Sequence, residues 1–199
     1  LMGIIDGILA DQPEDITTTM SSPPDLNVLR ASLDRIGTVR HYEIWDSMRV
    51  TVSSIGVASD AGVQMPLINP SRGSEIGYRN ILAGRAPTGP GEIVIGELAA
   101  KRAAMRIGSR VTLGAGERTT DVTIVGVFNE WGTSIWTNEA TYARLAAPEN
   151  RAREIRAIVD PNRYTEASIA MERAVLDAGS FPTNSSTRAG FRALMSNHF

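Results

Sequence analysis

The sequence contains no cysteine. That excludes a disulfide framework, a CxxC redox pair and any thiolate metal site. Lysine is almost absent as well: of 20 basic residues only Lys101 is a lysine. No glycine-rich turn precedes Lys101, so the chain has no Walker-type phosphate loop. Histidine is scarce, with His41 and His198 at opposite ends of the chain and no HExxH pair. A lone His41 on an expected strand reads as a surface or edge residue. No GxSxG is formed around Ser134. Neither sign of charge dominates, with 20 basic and 22 acidic residues. The net charge is -2, which gives no basic field to hold nucleic acid or an anionic membrane. No stretch approaches the ~20 apolar residues needed to span a bilayer. The start lacks a basic segment followed by a small-residue cleavage site, so no signal peptide is expected.

What is present is an ordinary globular composition, 42% hydrophobic and 21% charged over 199 residues. That length suffices for one large domain or two small ones. Arginine supplies nearly all the positive charge. Guanidinium forks suit anion recognition, but these arginines are scattered, and a GC-rich base composition accounts for them better. Residues 1–9 are apolar apart from Asp6. They read either as a core helix or as the outer end of a membrane helix.

Ile16-Thr17-Thr18-Thr19-Met20 is β-branched and predicts a strand. Pro23-Pro24-Asp25 then opens a helix with Leu26, Leu29, Leu33 and Ile36 on one face and Gly37 as its stop. Residues 39–45 read as a second strand. The order returns near the end. Residues 155–159 form an expected strand, and Asp160-Pro161 starts a helix carrying Tyr164, Ala167, Met171, Val175 and Ala178. Gly179 closes it. Residues 181–185 form another expected strand, and Thr187 is placed to cap a last helix with Phe191, Leu194 and Met195 inward. Between these halves the chain is rich in Gly, Pro, Val, Ile and Thr. It shows short strand signals at 50–52, 93–95, 110–113 and 122–128, and helices at about 97–105 and 138–146. Gly114-Ala115-Gly116-Glu117 reads as a hairpin turn. The expected class is α+β. Two β-α-β halves (10–46 and 151–199) form a split, ferredoxin-like, porter-type subdomain, with a β-rich insertion at 47–150.

The central motifs are Gly84-Arg85-Ala86-Pro87, Gly91-Glu92-Ile93-Val94-Ile95-Gly96-Glu97, Leu98-Ala99-Ala100-Lys101-Arg102, Ile107-Gly108-Ser109-Arg110-Val111 and Val122-Thr123-Ile124-Val125-Gly126-Val127-Phe128. In order and spacing this run resembles the extracytoplasmic (MacB-like periplasmic core) domain of MacB/FtsX-like ABC transporter permeases. Ser109 departs from that family's usual aspartate, and the alanine run before Met105 from its more apolar helix end. The motifs look structural. Gly84, Gly96 and Gly108 suit turns or close backbone approach, and Glu92 and Glu97 suit free backbone N–H groups.

The resemblance implies a non-enzymatic module outside the cytoplasmic membrane, lying between two membrane helices of a permease. It implies no cofactor. Its partners would be an ABC ATPase subunit, a second permease copy and an extracytoplasmic adaptor or substrate, with no nucleic acid. The work implied is export or extraction driven by cytoplasmic ATP hydrolysis. An FtsX-like transducer controlling a cell-wall hydrolase and a free-standing ligand-binding domain are the alternatives, with a hydrolase more remote. Candidate contact residues are Trp131 and Trp136 in a turn-rich aromatic segment, and Met65, Leu67 and Ile68 in an apolar loop. Core packing of both tryptophans is the competing reading. Asn184-Ser185-Ser186 fits a glycosylation sequon, best explained by chance.

Overall fold

β-branched and alternating segments set most of the architecture. The computed structural model describes residues 14–55, 62–78, 80–129, 133–147, 151–188 and 190. The chain is mixed α/β, mostly strands, with four helices among the described residues. It divides into two compact units, residues 1–45 with 152–199, and residues 46–151.

In the first unit, strand β1 (Ile16–Met20) alternates buried and half-buried positions. Helix α1 (Leu26–Leu33) starts at Asp25, whose carboxylate accepts from the N–H groups of Asn27 and Val28 at 2.9 and 3.1 Å. Strand β2 (Val39–Ser54) supplies its first residues to this unit and the rest to the second. Strand β9 (Ala152–Val159), helix α4 (Tyr164–Asp177) and strand β10 (Pro182–Thr187) complete it. The strand order is β10-β1-β9-β2, so the strands of one half interleave with those of the other. β1 is antiparallel to both neighbours, with Ile16 opposite Thr187 and Ala157. The helices bury Leu29, Leu33, Ala167, Met171 and Val175 against Ile16, Met20, Ile155 and Ala157. Each leucine, isoleucine, methionine or valine among them contributes about 1.5–3 kcal/mol on leaving water, and each alanine less. Gly179, at φ 78°, ends α4 in the left-handed conformation that glycine adopts freely.

The second unit is a closed ring. β2 pairs with β3 (Val63–Asn69), β3 with β8 (Ile135–Thr137), β8 with β5 (Glu92–Gly96) and β5 with β7 (Arg118–Phe128). β6 (Arg110–Ala115) then joins β7 back to β2. β4 (Ile81–Gly84) adds to β7 outside the ring. Met48, Val50, Val52, Met65, Leu67, Ile93, Ile95, Leu113, Ile124 and Ile135 fill the interior. Helices α2 (Glu97–Arg102) and α3 (Glu139–Leu145) add Ala99, Ala100, Tyr142 and Leu145 to that core. Tyr142 is buried and its hydroxyl donates to the Ser47 carbonyl at 2.9 Å.

Several elements differ from expectation for identifiable reasons. α1 ends at Leu33 with Asp34 as C-cap, so Gly37 lies beyond the helix in a following turn. β2 runs unbroken through residues 46–49, because Met48 continues the inward alternation through that polar stretch. α2 stops at Arg102, and Ala104 takes φ 52°. Gly96 is an N-cap at φ -61°, a conformation open to any residue. The apolar start and the expected last helix, with Phe191, Leu194 and Met195, lie outside the described residues. Thr187 Oγ1 does accept from the Gly190 N–H at 2.9 Å, the bond expected of a cap. Among the described residues no helix is long and apolar enough to cross a membrane.

Candidate functional site

Of the five candidate contact residues, Trp131 lies outside the described residues. The other four are buried. Met65 and Leu67 are 2% and 0% exposed and point into the ring. Ile68 is 5% exposed on the same strand. The segment expected to be an apolar loop is therefore strand β3. Met65 and Leu67 obey a period of two, and Pro66 between them is carried opposite Arg49 of β2. Trp136 is 8% exposed in β8. Its ring lies 4.6 Å from Phe128 and 5.8 Å from Tyr78, and its indole N–H donates to Ser134 Oγ at 3.0 Å. Tyr78 sits at φ 61° and its hydroxyl donates to the Thr137 carbonyl. Burial pushes the Tyr78 phenol well above its ordinary pKa. Tyr78, Trp136 and Phe128 thus form an aromatic cluster in which Trp136 and Phe128 are buried.

The motif run from Gly84 to Glu92 acquires a physical meaning. Arg85 forms a fork on the Glu92 carboxylate, with one bond of 2.8 Å. The same carboxylate accepts from the N–H groups of Thr88 and Gly89 at 2.8 and 3.0 Å. The Arg85 guanidinium, then these two N–H groups, hold the Glu92 carboxyl far below its usual range. The motif is a staple that fixes the turn between β4 and β5. Gly84 must be glycine: φ is 77°, and a Cβ there would stand 2.2 Å from the Val125 carbonyl oxygen.

In the first unit, strand alternation gathers charge on the sheet face opposite the helices. Arg156 donates to Glu154 at 2.8 Å and to Glu14 at 2.6 Å, and lies 4.1 Å over the Trp45 ring. Trp45 is fully buried and donates to Glu43 at 2.6 Å, and Glu43 also meets His41 at 3.2 Å. The sequence reading missed this cluster. Its signal was there: in Glu43-Ile44-Trp45 and Glu154-Ile155-Arg156 an apolar residue faces the helices while both its neighbours face the other way. The chemistry is that of interlocked ions, each satisfied by the next. Elsewhere, Tyr42 donates to Asp34 at 2.7 Å, and burial followed by that bond pushes its phenol up to about 12. Among the described residues no three metal-ligating side chains converge. An open groove of about 680 Å³ lies between α1 and α4, lined by Ser32, Arg35, Ile169, Arg173 and Asp177 among others.

No family model matches the sequence, and no curated protein matches it. Solved structures do. The periplasmic region of MacB from Actinobacillus actinomycetemcomitans is similar over 98% of both chains, at 13% identity and a TM-score of 0.55. This chain has the fold of the MacB periplasmic region. The extracellular domain of the noncanonical ABC-type transporter YknZ from Gram-positive bacteria is similar over 85% of this chain and 100% of that one. There the identity is 13% and the TM-score 0.54. The MacB-like fold thus extends over both units, well beyond the fifty or so residues that carry the sequence motifs.

Proposed function

We propose that this chain is the extracytoplasmic domain of an ABC transporter permease subunit, and that it transmits movement rather than performing chemistry. The observation that carries this reading is the pairing of the outermost described strands. β1 and β10 are antiparallel neighbours, and the Arg188 N–H donates to the Asp15 carbonyl at 2.8 Å. Chain entering before β1 and leaving after β10 therefore does so at one end of one sheet. Two membrane helices attached there would move the first unit as a single lever. The interleaved order β10-β1-β9-β2 supports reading this unit as a split β-α-β, porter-type subdomain nearest the membrane. The MacB-like fold supports the extracytoplasmic side and a cytoplasmic ATPase partner.

In this reading ATP hydrolysis on the inner side moves paired permease subunits. The extracytoplasmic domains follow, expelling or extracting a substrate with the help of an adaptor. No residue of this chain takes a catalytic role and none holds a cofactor. This chain contributes no cysteine of its own, so the decisive test uses the full-length protein with any cysteine outside this chain replaced by serine. In the full-length protein in intact cells, Gln64→Cys on the exposed side of β3 is expected to react with a membrane-impermeant maleimide. Labelling only after the cytoplasmic membrane is broken would overturn the proposal.

A further inference from the structure

The outer face of α4 carries features that helix packing within the first unit leaves unused. Ile169 and Leu176 are 49% and 48% exposed, and Phe181 just beyond the helix is 67% exposed. Ile169, Arg173 and Leu176 follow at four and three residues, so they share one face. Arg173 and Asp177 border the groove beside this stripe. Neither forms an ion pair among the described residues, although they stand four apart on the helix. With the cation placed first, that order is the weaker one for a bond within a helix. Glu166, two turns before Arg173, is already held by Arg163 at 2.6 Å.

We infer that this face docks against the same face of a second copy of the chain. The charges select that occupant. An antiparallel pairing of two α4 helices about a two-fold axis level with Val175 places Arg173 opposite the partner's Asp177, and Asp177 opposite the partner's Arg173. The same axis brings the two Leu176 side chains together. Ile169 then falls beside the segment where the partner's Phe181 stands. One patch meets itself with opposite charges facing and apolar residues central, as an isologous interface requires. The inference rests on the permease reading only for the reason two copies come together. The face itself follows from the side chains.

This chain lacks cysteine, so once any cysteine elsewhere in the full-length protein is replaced by serine, a single introduced thiol reports the geometry. Leu176→Cys is expected to form a disulfide-linked dimer under mild oxidation at least about tenfold faster than Val63→Cys, a site of similar exposure (53%) in the second unit. In the Leu176→Cys background, Arg173→Asp and Asp177→Arg are each expected to slow cross-linking, and the two together to restore it. Equal rates at Leu176→Cys and Val63→Cys, as a partner other than a second copy would produce, overturn the inference. So does failure of the double exchange to rescue. If Gln64→Cys is labelled from outside while Leu176→Cys stays monomeric, the docking face fails and the permease reading stands.

Discussion

Glu92 illustrates how much can hang on one carboxylate. It takes a guanidinium fork from Arg85 and two backbone N–H groups from the turn it closes. Because its folded pKa is depressed, it contributes stability that is present above the ordinary glutamate pKa of 4.5. That contribution is lost as pH falls from there toward the depressed value. Thermal melts are therefore expected to show the wild-type protein losing more stability between pH 5 and pH 2 than Glu92→Gln, which starts less stable at neutral pH. Parallel curves for the two proteins would remove Glu92 from this role. Gly84→Ala is expected to cost about 2–4 kcal/mol in denaturant titration, because the new Cβ meets a backbone oxygen at positive φ. Gly37→Ala, with no atom within 4 Å of its added Cβ, is the control and should stay within about 0.5 kcal/mol. Arg156→Ala leaves Glu14 and Glu154 buried without their shared cation and should cost about 3–5 kcal/mol. Tryptophan emission follows the same variant, since the guanidinium leaves the Trp45 ring.

Elements whose signals are local were legible, and those that depend on distant partners were not. The hairpin between β6 and β7 was readable because Gly116, at φ 60°, sits first in a two-residue turn closed by Ala115 opposite Arg118. α4 was readable from its period and from Gly179. α3 was readable from Asn138, whose side chain accepts from the Thr141 N–H at 3.1 Å. β3 misled because Met65, Leu67 and Ile68 flank a proline and end in a turn. Their burial is decided by ring closure, which no local window contains. The Arg156 cluster was invisible for the same reason: Glu14 and Arg156 are 142 residues apart. The motif run from Gly84 to Glu92 was found as a pattern, but its meaning as a staple needed the coordinates of both ends. Capping at α1 is testable at this scale. Asp25→Ala removes two bonds to helix N–H groups and should cost about 1 kcal/mol, while Asp25→Asn retains most of the stability.

The division of the chain into two units has a physical consequence for the molecule as a whole. Residues 46–151 close into a ring with their own core, from Met48 through Leu145. A closed ring leaves few unpaired strand edges, and about 100 residues is a common size for an independent domain. The excised segment is therefore expected to fold alone, with cooperative thermal unfolding and a near-ultraviolet signal from Trp136 packed on Phe128. A fragment with no such signal and a broad melt would show that the ring needs the rest of the chain. The first unit makes the complementary case, because its sheet is assembled from two separate stretches. β1 lies between β9 and β10, and β9 between β1 and β2, so each stretch supplies strands that the other needs. Joining Trp45 to Ala152 with a short glycine-rich linker keeps β1, β9, β10 and the first part of β2 in one chain. That shortened chain should melt cooperatively, whereas residues 152–199 alone keep α4 without β1 or α1 to cover its inner face and should remain unfolded.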